Sequence, residues 1–128
     1  MKTKLRLIAI AVIAAATLMP SVAHSNDALA RAEEACENYR WLEALAWFEV
    51  AAEYGDRRAQ QIAGLMHLYG DRMYPGVERD VGRAKAWFYR AEAQGSVEAK
   101  YLLARLERNP SLDPARLVAS LIEEAKPQ

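Results

Sequence analysis

The chain has 128 residues, 17 basic and 17 acidic side chains, a formal net charge of zero and a single cysteine. That length supports one small domain with a modest core. The balanced charge argues against a nucleic-acid-binding surface, and one cysteine rules out an internal disulfide framework.

Lys2, Lys4 and Arg6 precede an apolar run from Leu7 to Leu18, and Ser21-Val22-Ala23 comes after it. Basic, apolar and small-residue regions in this order read as an export signal over residues 1–23, cut after Ala23. The apolar run is shorter than the roughly 20 residues of a membrane-spanning helix. Cleavage would start the domain at His24, remove three basic groups and leave a small acidic excess. The expected product is a domain over residues 24–128, periplasmic or secreted, with no membrane span. Cys36 shares an apolar helix face with Ala32 and Ala35 and reads as a small buried hydrophobe. A bridge between two chains, or a reactive thiol, is the sharper alternative in an oxidising compartment.

Ala, Leu, Glu and Arg dominate the chain beyond residue 23, and each segment reads as helix. Helices are predicted at about 28–37, 40–54, 57–69, 81–94 and 97–108. Gly55, Gly70 and Gly95 stand where left-handed terminating residues belong. Asp56, Asp80 and Ser96 stand where N-caps belong. Asn109-Pro110 stops the fifth helix, since the proline ring disfavours helical geometry just before it. Asp113 and Pro114 then open a sixth, over about 113–125. Its stripe of Leu117, Val118, Leu121, Ile122 and Ala125 suits a helix that closes the end of a stack. A dimerising surface is the other use of such a stripe.

The segment AWFEVAAEYG at 46–55 returns as AWFYRAEAQG at 86–95. Trp, Phe, Ala and Gly recur at one common offset. Each copy opens a helix-turn-helix unit, one over about 39–70 and the other over about 77–109. Ala44, Phe48 and Ala51 line one helix of the first unit, and Ala59, Ile62, Ala63 and Met66 the other. Neither hairpin can bury its apolar side alone, so the two are expected to stack.

The pattern A-x-x-W-F-x-x-A-(A)-x-x-G-x-x-x-A, with its lead-in Val77-x-x-Asp80-x-x-Arg83-Ala84-x-x-Trp87, resembles the Sel1-like repeat, a relative of the tetratricopeptide repeat. The resemblance covers residues 39–107. It implies an all-α fold, a short α-solenoid of about two repeats with a C-terminal capping helix. It also implies a concave face lined by the first helix of each unit. The family's Leu-Gly pair and Tyr are replaced by Ala63-Gly64 and His67, then by Leu103-Ala104 and Glu107. The loop through Met73-Tyr74-Pro75 is longer than usual. The cysteine pairs of the family's secreted branch are absent, so the penicillin-binding or β-lactamase activity of that branch is not carried over.

Catalytic chemistry has little foothold. Glu33-Glu34 and Glu123-Glu124 are adjacent on helices and point about 100° apart, which suits solvated faces. No Ser, His and acid fall at a nucleophile's spacing, and there is no phosphate-binding Gly-rich loop. His67 reads as a satisfied, partly buried histidine. His24, once N-terminal, could chelate copper through its amine and imidazole, with His67 as the second imidazole. The candidate partner-binding residues are Trp41, Trp47, Val50, Tyr54, Tyr74, Trp87 and Arg90, since aromatics and arginine most often anchor interfaces. Trp87 also fits a role in packing between units. The expectation is a scaffold or adaptor in the bacterial envelope that binds a protein or peptide, with no cofactor, no metal and no nucleic acid. The alternative is a small periplasmic metal-binding protein or cell-wall-related enzyme using His24 and His67.

Overall fold

The computed structural model describes residues 23–109 and residues 122 and 123. The described residues are helices joined by turns, with no strand among them. Helix α1 covers residues 23–37, α2 Trp41–Glu53, α3 Arg57–Tyr69, α4 Val81–Ala93 and α5 Val97–Arg108; a single 3-10 turn, Gly70–Arg72, comes after α3. These match the predicted segments to within a residue or so, except that α1 starts earlier than expected. The added turn has contacts of its own: Ser25 is buried and His24 stacks on Tyr54, while the exposed Asp27–Arg31 pair at 3.1 Å adds little. The expected signal lies outside the described residues apart from Ala23. The expected helix at 113–125 also lies outside them, apart from Ile122 and Glu123, which are helical.

The predicted caps form. Asp56 accepts from the Ala59 N–H at 2.7 Å, Asp80 from Arg83 at 2.9 Å and Ser96 from Ala99 at 3.0 Å. Each satisfies a helix donor that would otherwise be orphaned, a contribution of about 1 kcal/mol. The α2–α3 and α4–α5 turns share one hydrogen-bond scheme. Gly55 and Asp56 donate to Ala52 and Ala51, and Gly95 and Ser96 donate to Glu92 and Ala91. Both glycines have φ near +90°, which a side chain would oppose.

The α1–α2 turn repeats that scheme without a glycine. Tyr39 donates to Cys36 and Arg40 to Ala35, while Tyr39 itself holds φ at 55°. No residue type signals this turn, because a tyrosine stands where the other two turns have glycine.

Helix α3 packs against both α2 and α4, and α4 packs against α5. One apolar cluster joins alanines of α1 to Leu45, Phe48, Ala52, Ala63 and Met66 of α2 and α3. The other joins Leu68 of α3 to Ala84, Phe88, Leu103 and Leu106 of α4 and α5. Trp87 of α4 belongs to the first cluster, so the second hairpin buries a large ring in the core of the first. Burying a side chain of that size contributes on the order of 1.5–3 kcal/mol. Cys36 packs, half-buried, against the same cluster, as its apolar surroundings imply.

Small residues set how closely α3 and α4 approach. A Cβ at Gly64 would sit 2.5 Å from the fully buried Phe88 ring. Gly70 plays the same part at the end of α3, where a Cβ would meet the Arg79 backbone at 2.6 Å. A polar seam at the start of α3 ties it to the end of α2 and to the α4–α5 turn. The buried Gln60 amide donates to the Ala52 carbonyl at 3.1 Å, and its oxygen accepts from Gln94 at 2.8 Å. Gln61 donates to Ser96 Oγ at 2.8 Å. No described helix is long and apolar enough to cross a membrane.

Candidate functional site

Helices α2 and α4 each offer four residues at spacings i, i+3, i+4 and i+7 to one shared cleft of about 530 Å³. On α2 these are Ala46, Glu49, Val50 and Glu53; on α4 they are Arg83, Ala86, Trp87 and Arg90. One helical face is repeated on both walls, because these spacings bring side chains to one side of a helix. The volume falls in the range of ordinary ligand sites, about 300–1,000 Å³.

The walls carry opposite charge. Glu49 and Glu53 make the α2 wall acidic, and Arg83 and Arg90 make the α4 wall basic. Between them lies an apolar floor of Val50 and the edge of Trp87, which is only 8 % exposed. Arg90 spans the gap, with its guanidinium 3.1 Å from Glu53 and 4.7 Å from the centre of the Trp87 ring. Both partners of that ion pair are largely in solvent, so its net worth is about 0–1 kcal/mol. An incoming group can therefore displace it at small cost.

Glu49 is held from behind. His67, 4 % exposed, donates from Nε2 to the Glu49 carboxylate at 2.7 Å, and its Nδ1 has no hydrogen-bond partner among the described residues. The imidazole is thus a buried support for the acidic wall rather than a group that faces the cleft. His24 lies elsewhere, stacked on Tyr54 with ring centres 5.6 Å apart. Each imidazole is engaged with its own partner, and no group of three His, Cys, Asp or Glu among the described residues is placed to hold a metal ion.

The seven predicted residues divide among three places. Val50, Trp87 and Arg90 meet in the cleft. Trp47 lies half-buried under the Arg31 guanidinium of α1, 4.8 Å from its ring centre, and Tyr54 stacks on His24 of the same helix. Trp41 and Tyr74 meet edge to face at 5.5 Å, with Tyr39 edge-on to Trp41 at 6.0 Å. That third cluster is exposed at its outer member, since Tyr39 is 78 % accessible.

Glu49, Glu53 and Arg83 are cleft residues that the sequence reasoning misses. Their signal is present: the same spacing on both helices, counted from Ala46 and from Arg83, finds them. The line through Trp47 and Tyr54 runs along a neighbouring face, the one that α1 covers.

The lone thiol is not activated. Burial, and then the nearby Glu33 carboxylate, push the Cys36 ionisation above its ordinary value. Tyr74 is raised too, first by burial and then by Cys36 and Tyr69.

No protein-family model matches this chain, and no curated protein or solved structure does so either.

Proposed function

We propose that this chain is an exported scaffold of two Sel1-like units, closed by its terminal helix, that binds a protein or peptide segment in the α2–α4 cleft within the bacterial envelope. The observation that carries this reading is the cleft itself. An apolar floor sits between an acidic and a basic wall, and a weak surface ion pair is the only link across them among the described residues. A peptide that places one apolar side chain on Val50 and Trp87 can exchange that ion pair for two of its own. The floor supplies affinity through buried apolar area, and the walls fix direction, because reversing the peptide would set like charges together.

Affinity capture from envelope extract tests this. The bait is the chain without residues 1–23, compared with Val50→Asp plus Arg90→Glu, both changes falling on exposed positions. A partner retained by the wild type and lost by the variant, with matching circular dichroism, is the expected result. Equal retention by both would remove the cleft from the proposal.

A further inference from the structure

A second hollow, of about 380 Å³, lies between the C-terminal end of α3, the loop after it and α5, and shares no described lining residue with the α2–α4 cleft. Leu68, Leu102 and Leu106 form its floor, and Arg72, Arg79 and Arg105 surround it. The arginines come from the 3-10 turn, the loop before α4 and α5, so only the fold brings them together. No acidic side chain is among the described lining residues. Elsewhere on the surface Arg31, Arg40, Arg58, Arg83 and Arg90 each pair with a carboxylate. Neither Arg72 nor Arg105 has such a pair among the described residues. The acids nearest to them in sequence are engaged with other groups. The Asp71 carboxylate accepts from the Gly76 N–H at 2.7 Å, and Glu107 accepts from the Tyr89 hydroxyl at 3.4 Å.

We infer that this hollow binds a phosphate monoester carried on a single alkyl or prenyl chain. The leucine floor takes the chain, and the volume lies at the low end of the range of ligand sites, about 300–1,000 Å³, which suits one chain. The arginines take the head. A carboxylate would bring one charge and two oxygens. A phosphate monoester brings a charge of about −1.5 to −2 and three acceptor oxygens, a closer match to three guanidinium groups. Part of the head site is built in advance. The Arg79 Nε donates to the Leu68 carbonyl at 2.9 Å, which holds that positive charge beside the floor. Its loop is pinned to the end of α3, because the Asp80 N–H donates to the His67 carbonyl at 2.8 Å and Gly70 admits the Arg79 backbone where a Cβ would lie 2.6 Å away. Such preorganisation lowers the ordering cost of binding. Arg72 and Arg105, both exposed, supply further donors. A purely apolar ligand would leave the positive charges uncompensated, and free phosphate would forgo the floor, so both parts of the ligand are needed. The inference does not depend on the α2–α4 cleft.

Isothermal titration of the full chain with octyl phosphate, kept below its micelle concentration, tests this. One molecule is expected to bind per chain. Inorganic phosphate, octanol and octanoate are each expected to bind about tenfold or more weakly. Arg72→Gln plus Arg105→Gln, two exposed changes, is expected to weaken octyl phosphate by about tenfold or more while circular dichroism stays the same. No binding of octyl phosphate would overturn the inference, and so would equal affinity in the arginine variant, which would place the ligand elsewhere. Octanol, octanoate or inorganic phosphate binding as tightly as octyl phosphate would overturn it too, by showing that the head, its phosphate or the chain is not read. Binding only to vesicles that carry phosphatidic acid would mark a membrane-facing surface and would likewise overturn it.

Discussion

Replacing Gly64 with alanine adds one methyl group where α3 packs on the Phe88 ring of α4. An ideal Cβ there lies 2.5, 2.7 and 3.1 Å from three carbons of the Phe88 ring. Favourable carbon contacts lie at about 3.5–4.0 Å, so ring and helix must separate by on the order of 1 Å. Phe88 is fully buried, and close-packed interiors offer no slack for such a shift. Overpacking costs about 1–3 kcal/mol, and a ring with no room to move puts this contact in the upper half, about 2–3 kcal/mol. Alanine regains about 1 kcal/mol of helix propensity over glycine. The net expectation is a loss of about 1–2 kcal/mol, a fall in Tm of roughly 4–16 °C for a domain of this size.

Gly82 of α4 is the internal control, because a Cβ there meets only Asp80 Oδ1, at 3.4 Å. Gly82→Ala should leave stability unchanged or raise it by up to about 1 kcal/mol. Urea unfolding monitored by circular dichroism measures both. A further check is the pair Gly64→Ala with Phe88→Leu, whose combined loss should fall short of the sum by about 1 kcal/mol, since the smaller side chain frees the space. If Gly64→Ala proves as stable as the wild type, or if the two changes simply add, the two helices do not pack through that contact.

Gln60→Ala removes the centre of the polar seam; the exposed Gln94 amide turns to water and the Ala52 carbonyl keeps the Gly55 N–H, so a loss of about 0.5–1.5 kcal/mol is expected in the same urea assay. Glu49→Ala leaves the buried His67 imidazole without its one hydrogen-bond partner among the described residues, and a loss of about 1–3 kcal/mol should appear, while Glu53→Ala on the exposed wall changes stability by less than about 0.5 kcal/mol. For Cys36, the folded chain ionises above the ordinary thiol range, so it holds its proton where the unfolded chain has begun to lose it. The resulting stability is fully present below the ordinary thiol value and declines as pH rises through the raised one; Cys36→Ser should flatten that decline in unfolding curves taken across alkaline pH. Alkylation of Cys36 by iodoacetamide at neutral pH should accordingly be slower than in the urea-unfolded chain.

Local chemistry makes most of the helices legible. Asp56, Asp80 and Ser96 each bear a short acceptor next to a periodic apolar run, and Gly55 and Gly95 accept a backbone geometry that other residues resist. Such signals act within a few residues, so one sequence exposes them. The Tyr39 turn lacks its glycine and is invisible for that reason. Gln60 sits among the apolar residues of α3, and its two partners lie at the end of α2 and just after α4, 8 and 34 residues away. His67 and Glu49 are likewise 18 residues apart. No periodicity predicts which polar side chain on one helix will meet which on another. The cleft is half legible: Trp87 and Arg90 mark the α4 wall, whereas on α2 the aromatic line that α1 covers draws attention away from the acidic wall beside it.

The two glycine turns have a consequence for how this chain could grow. Each ends one helix and starts the next with matching donors and acceptors, and with a capped polar residue on the far side. The piece from Asp56 to Gly95 therefore carries compatible joints at its two ends. A duplicate of it placed after Gly95 would enter and leave through junctions the protein already makes. Lengthening by duplication would need no new kind of bend, and each added copy would bring another Trp87 and another Arg90 to extend the walls.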